Sequence, residues 1–299
     1  MCHTEPAEET KRRSLSSALE NEGLFLHGFA PFAPFQGRLL PCRAAARLPV
    51  QPRTILAVLF PYRFEDDGPR NLSRYACVPD YHDAAGKVLA RASRRLETGF
   101  PGFSFVPFID SSPLPEVEAA ARAGLGVVGD NGLLIHPLYG SYVFIGELVT
   151  DLPLEGIGRE PEGCLHCGRC AAACPGDCLS PKPDADPGAS RRETCLSALT
   201  QKKGILTEKE QRLVLCGGLV WGCDRCQEVC PLNSGARCDP HPCFHNQYRP
   251  LLTPADLDDL SGKAYGWRGR KVPERNLHLF EEKALSEEYG DPRGKGEEI

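Results

Sequence analysis

The chain has 299 residues, 41% hydrophobic and 25% charged, enough to bury one large core or two ordinary ones. Its net charge of −5 excludes a global positive field that would draw it to nucleic acid or an anionic membrane. No apolar run approaches a bilayer crossing, and the 15 cysteines, an odd number bunched between Cys164 and Cys230, are unlike the paired framework of a small secreted domain.

In chain order, residues 1–30 read as a helix leading into a first strand. Arg12-Arg13 is the pair a twin-arginine export signal would show, but Ser14 to Gly28 carries Glu20 and Glu22 instead of a clean apolar stretch. A cytoplasmic protein with no membrane partner is therefore expected. Thr54 to Phe60 is a short apolar run stopped by Pro61 and predicts a buried strand. Asp80 to Leu96 predicts a helix, with Asp80 as its N-cap and Val88, Leu89, Ala92 and Leu96 on one face. Phe103 to Ile109 predicts a second buried strand, Pro115 to Ala123 a helix, and Tyr142 to Val149 a third strand ended by Asp151-Leu152-Pro153. Alternating strands and helices imply an α/β (α+β) domain, a sheet with helices packed on its faces.

From about Glu155 the texture changes to Gly, Pro and Cys. Cys164-Leu-His-Cys167-Gly-Arg-Cys170-Ala-Ala-Ala-Cys174-Pro175 has the C-x2-C-x2-C-x3-C-P spacing of bacterial double-cluster ferredoxins. Such spacing wraps backbone around one iron–sulfur cube, so three thiolates reach three irons while the fourth points to the other cube. A second run, Cys223-Asp-Arg-Cys226-Gln-Glu-Val-Cys230-Pro231, has the same ending with one cysteine fewer, and Cys195 can complete it. The expected sets are Cys164, Cys167, Cys170 and Cys230 for one [4Fe–4S] cluster, and Cys174, Cys195, Cys223 and Cys226 for the other. Structural zinc also accepts four cysteines, but its ribbons favour separated C-x2-C knuckles over two interlocked runs ending in Cys-Pro. The expected organisation is the α/β domain over 1–155, a ferredoxin-like double-cluster module over 156–245 and a short helical tail over 246–299, frayed from Glu281 onward.

Other features carry less. Cys2, Cys42, Cys77, Cys178 and Cys216 read as small buried or loop residues. Cys238, His241, Cys243 and His245 are dense enough to suggest a third metal, but their spacing leaves little room for tetrahedral closure. Gly124-Leu-Gly126-Val-Val-Gly129 matches G-x-G-x-x-G, yet it follows a helix and enters the turn Asp130-Asn131-Gly132, the wrong context for a dinucleotide fingerprint. It reads as close backbone packing that only glycine permits, against the chain or a bulky flat ligand. Asp110 stands at the carboxyl end of a predicted strand, where open α/β sheets place ligand sites, but residue chemistry favours it as the N-cap of the following helix. Ser111 or Ser112 capping instead would free it for chemistry. Tyr81 and His82 open the Asp80 helix as polar-edged residues, and the basic run from Trp267 through Arg268, Arg270 and Lys271 to Arg275 reads as a solvated face.

Taken together, Ser73-Arg-Tyr-Ala76, Asp80-Tyr-His82, Asp110-Ser-Ser-Pro-Leu-Pro-Glu116, the glycine stretch from Ala123 to Gly129, Gly146-Glu-Leu148, Asp151-Leu-Pro153, Cys195 and the two cysteine runs resemble the epoxyqueuosine reductase family, in the family's order. The resemblance spans about Leu72 to Asn233. It implies a cobalamin-binding α/β domain joined to a double-cluster module, and an activity that removes an epoxide oxygen from a tRNA-borne precursor of queuosine. It implies Asp110 as proton donor, the eight cysteines as cluster ligands, and Gly124, Gly126, Gly129 and His82 near the corrinoid. Electrons would come from a low-potential donor of ferredoxin or flavodoxin type. The chain departs from the family at Asp130-Asn131, where a Gly-Lys-Asn pattern is usual, and the helical repeats that help grip tRNA are expected to be absent or reduced to the tail after Leu251. With the net charge of −5, this weighs against tRNA as the partner. The rival expectations are a ferredoxin-like electron-transfer module and a corrinoid-reducing activator without substrate chemistry of its own.

Overall fold

The structure, a computed structural model, describes residues 5–65, 68–179 and 192–289. Helix α1 (Glu5–Glu20) leads into strand β1 (His27–Pro31), and two short 3-10 turns precede β2 (Thr54–Pro61). Then come α2 (Tyr81–Gly99), β3 (Phe105–Ile109), α3 (Glu116–Arg122), the two-residue strands β4 (Val127–Val128) and β5 (Leu134–Ile135), and β6 (Val143–Thr150). The second half holds α4 (Arg169–Ala172), α5 (Leu196–Thr200), α6 (Glu208–Gly217), α7 (Arg225–Glu228) and α8 (Lys271–Tyr289).

Four strands form one sheet in the order β1-β2-β6-β3, antiparallel throughout, and β4 and β5 pair as a separate hairpin. The parallel-sheet rule invoked for Asp110 therefore does not apply, although a site at that sheet end survives on other grounds. All eight residues of β2 are buried, and they divide by period two. Leu56, Val58 and Phe60 join Leu15 and Leu19 of α1 and Val88, Leu89, Ala92 and Leu96 of α2 in one core. Ile55, Ala57 and Leu59 face the other way, toward the alanines of α3. Each fully buried Leu of these faces stabilises the fold by roughly 1.5–3 kcal/mol.

The ends of β2 and β3 and the start of β6 lie together, since Pro61 pairs with Val143 and Ile109 with Gly146. The second half docks at this end. Tyr62 Oη donates to Gln227 Oε1 at 3.2 Å, Ser141 N donates to Asn233 Oδ1 at 2.8 Å, and His241 N donates to Pro61 O at 2.8 Å. The expected tail does more than trail away. Leu252, Leu257, Tyr265, Val272 and Leu277 build a core with Leu72, Ala76 and the fully buried Trp221. Residues expected to fray from Glu281 continue α8 as far as Tyr289, and those beyond lie outside the described residues.

Candidate functional site

Asp80 caps α2 as expected, its carboxylate accepting from His82 N at 3.0 Å. The same oxygen accepts from His82 Nδ1 at 2.7 Å, and the other ring nitrogen, Nε2, donates to Asp110 Oδ2 at 3.1 Å across 28 residues of chain. The ring is thus held between two carboxylates. The Asp110 hydrogen bond first, and Asp80 next, push the His82 imidazole up to about 9 against partial burial, so it carries its proton at neutral pH. Tyr81 stacks flat on Phe144 at 4.1 Å and 6°, and burial and the Asp110 carboxylate keep its phenol protonated, well above the usual range.

Asp110 is not a helix cap. The N-cap position of α3 belongs to Pro115, with no side-chain cap, and Ser112 Oγ accepts instead from Leu114 N at 3.1 Å within the preceding turn. The reason is local: prolines at 113 and 115 hold the segment extended and delay the helix. Asp110 itself adopts φ +55°, a left-handed conformation that non-glycine residues seldom take and that clusters at functional sites. Its side chain stays 54% exposed, open at the sheet end.

Behind Asp110 stand two further carboxyls that carried no role in the sequence reading. Glu116, in the first turn of α3, is pushed up to about 7 by burial and then by the Asp110 charge, with His82 pulling the other way. Glu147, on β6, is 1% exposed; Ser112 Oγ donates to its Oε2, and its Oε1 finds no partner among the described residues. Burial lifts Glu147 to about 8, with Glu116 adding and the Ser112 hydroxyl opposing. A signal existed: Glu147 is the one charged residue in the apolar run from Val143 to Val149.

The two cysteine runs come together in the second half of the chain. One cavity is lined by Cys164, Cys167, Cys170 and Cys230 together with Asp130 and Asn131. A second group gathers Cys174, Cys195, Cys223 and Cys226, whose thiols lie close enough to raise one another. Burial chiefly pushes the Cys223 thiol up to about 11 and the Cys226 thiol up to about 12. No disulfide joins the described cysteines. The surroundings suit thiolate-bound clusters: Asp130 N donates to Cys164 Sγ and Cys178 N to Cys174 Sγ, each at 3.4 Å. Gly176 lets the first run lie against Thr194, whose carbonyl oxygen would stand 1.8 Å from a Cβ there. The departure at Asp130 has a structural partner too, since its carboxylate accepts from His166 Nδ1 at 2.7 Å.

Other candidate residues are spent elsewhere. Gly124 closes α3 at φ +85° and faces Arg159, a Cβ on Gly126 would meet Ile135 O at 2.4 Å, and one on Gly129 would meet Asn131 Oδ1 at 2.4 Å. Close approach of the chain's own backbone accounts for Gly126, and the left-handed conformation for Gly124. His82 stands beside Asp110. The group at 238–245 does not converge on a metal position. His241 caps a 3-10 turn and meets Cys243 Sγ at 3.0 Å, His245 Nε2 donates to Pro240 O, and Cys238 Sγ to Ala236 O. In the basic run, Arg268 covers Trp267 at 3.6 Å, Arg270 pairs with Asp258 and Glu274, and Arg275 Nη1 donates to Lys202 O and Gly204 O. Of the cysteines read as plain, Cys77 is buried, Cys42 is half-buried and Cys216 is exposed; Cys178 stands beside Cys174, and Cys2 lies outside the described residues.

Residues 163–233 match the family described as a 4Fe-4S double cluster binding domain. Over 219 residues, 69% of the chain, it is 35% identical to the epoxyqueuosine reductase of Lactococcus garvieae, and over 242 residues, 75% of the chain, 31% identical to that of Bacillus subtilis. These matches span 60% and 61% of the two relatives' own lengths. In fold, a selenomethionine-labelled epoxyqueuosine reductase superposes with a TM-score of 0.76 at 25% identity, covering 96% of this chain and 87% of that one. An epoxyqueuosine reductase solved with a tRNA-Tyr epoxyqueuosine-modified stem loop superposes with a TM-score of 0.75 at 26% identity, covering 93% and 82%. A structure of the Bacillus subtilis enzyme, with an aspartate-bearing catalytic loop swung out of the active site, gives 0.73 at 25% identity, covering 96% and 87%. In sequence and in fold, the chain is a relative of the epoxyqueuosine reductases and contains a double-cluster domain.

Proposed function

We propose, from this kinship with the epoxyqueuosine reductases, that the chain is an iron–sulfur oxidoreductase that removes the oxygen of an epoxide borne on tRNA. Converting an epoxide to an alkene and water consumes two electrons and two protons. Two [4Fe–4S] clusters, one on Cys164, Cys167, Cys170 and Cys230 and one on Cys174, Cys195, Cys223 and Cys226, suit delivery of the electrons one at a time. The proton side rests on the chain's own side chains. Asp110 is the donor, open at the sheet end where a substrate can reach it, and the aspartate-bearing catalytic loop of the Bacillus subtilis relative supports that role. The proton it hands on comes from the His82 imidazolium, hydrogen-bonded to Asp110 Oδ2. Asp80 holds the ring in orientation from its far side.

The observation that carries the reading is the Asp80–His82–Asp110 array at the sheet end onto which the double-cluster domain docks. The net charge of −5 weighs against tRNA, but the stem-loop complex of a relative that matches 93% of this chain weighs more for it. Cobalamin is the cofactor the resemblance implies. When bound it would supply a reducible cobalt centre, and the resemblance implies Gly124, Gly126, Gly129 and His82 as the residues near it.

The test is a spectrum of anaerobically purified protein before and after adding cobalamin, with iron and cobalt analysis. About eight irons per chain with stoichiometric cobalamin supports the reductase. The same iron with no corrinoid bound favours an electron relay instead.

A further inference from the structure

Around the second cysteine group the chain brings five thiols to a site with four corners. Cys174, Pro175, Gly176 and Asp177 turn the backbone back on itself, with Asp177 N donating to Cys174 O at 3.0 Å and Asp177 in the left-handed region at φ +49°. The turn delivers Cys178 to the side of Cys174. Their Sγ atoms are 3.3 Å apart, and the Cys178 side chain also reaches the Cys195 thiol. Cys178 is only 6% exposed, so its sulfur faces the shared interior and not solvent. A small buried loop residue needs none of this, since Ala or Ser would fill the same space.

We propose that Cys178 is a reserve ligand of the iron–sulfur cluster held by Cys174, Cys195, Cys223 and Cys226, able to take the place of Cys174. Two sulfurs in contact cannot hold two different irons of one cube, because each iron–thiolate arm points outward from its own corner. Cys174 and Cys178 are therefore alternatives for one corner. Exchange between them needs a sulfur displacement of about the 3.3 Å that separates them, which a side-chain rotation supplies without moving the backbone. During assembly or after oxidative damage, either thiolate can close the cluster.

This inference rests on the proposed cluster assignment, and one series of variants separates the two. Wild type, Cys174→Ala, Cys178→Ala, Cys174→Ala/Cys178→Ala and Cys223→Ala are reconstituted anaerobically and read by iron and sulfide content and by paramagnetic resonance of the reduced protein. Wild type and Cys178→Ala should hold about eight irons. Cys174→Ala should keep the four-iron signal of the second cluster, with altered g values, and the double variant should lose it while retaining the first cluster's signal as evidence of folding. If Cys174→Ala already loses the second four-iron signal, or the double variant keeps it, Cys178 is not a ligand. If Cys223→Ala keeps both clusters unchanged, the cluster assignment itself falls.

Discussion

Glu147→Gln separates a buried proton from a buried charge. In the middle of β6 the carboxyl is 1% exposed, with Ser112 on one oxygen and no described partner on the other. Burial first, then Glu116, raises it from 4.5 to about 8, against the pull of Ser112. A carboxyl raised on folding must take up a proton that the unfolded chain has released. Its stabilising effect is therefore complete at pH values below 4.5 and is lost progressively as pH rises toward about 8. Between about pH 5.5 and about pH 7.5 this amounts to about 2 kcal/mol of lost stability. The Gln variant has no proton to take up. Its amide leaves a buried N–H short of a partner, costing about 1–3 kcal/mol, but that penalty is the same at every pH. Melting temperatures of the two proteins, anaerobic and with equal iron content, should therefore converge or cross in the variant's favour by about 4–6 °C over that pH span. A difference that stays constant would mean that Glu147 is ionised in the native protein, and the argument for a proton-holding interior behind Asp110 would fail.

Three further outcomes are expected. Asp80→Asn keeps a capping side chain, so stability should hold, while His82 falls from about 9 toward 6.5; the alkaline limb of the reaction's pH profile should move down with it, and an unmoved limb would remove His82 from proton supply. Cys230→Ser should lower bound iron from about eight to about four per chain, whereas Cys238→Ser should leave it unchanged; equal loss from both would contradict the assignment of the first cluster. Gly126→Ala places a methyl 2.4 Å from Ile135 O and should reduce stability by about 1–3 kcal/mol, seen as a lower melting temperature. An unchanged melting temperature would mean that the glycine is there for a ligand and not for the hairpin.

Legibility in the sequence followed the range of the interactions. Cysteine spacing is a local signal, and it grouped Cys164, Cys167 and Cys170 with Cys230, a residue distant in chain but lining the same cavity. Apolar periodicity found α2 and β2 because each buries a continuous face. Strand β1 was recognised only as a destination for the first helix, since His27-Gly-Phe-Ala-Pro31 alternates weakly and carries glycine and proline. The β4–β5 hairpin was hidden inside a glycine stretch whose close approach becomes visible only when Ile135 O is seen against Gly126. Residue chemistry alone favours Asp110 as a cap because capping propensity is a local preference, whereas its partner His82 comes from another element 28 residues away. The array behind it escaped for the same reason: nothing local says that Glu116 and Glu147 share one environment.

The most direct test is to give the reconstituted protein a one-electron reductant, cobalamin and tRNA carrying the epoxide, then to digest the tRNA and weigh its nucleosides. Wild-type protein should yield a nucleoside lighter by one oxygen, and Asp110→Asn should leave the epoxide intact while its clusters still reduce. If neither protein changes the tRNA although both clusters cycle, the chain is an electron relay. If Asp110→Asn works as well as wild type, the proton donor lies elsewhere.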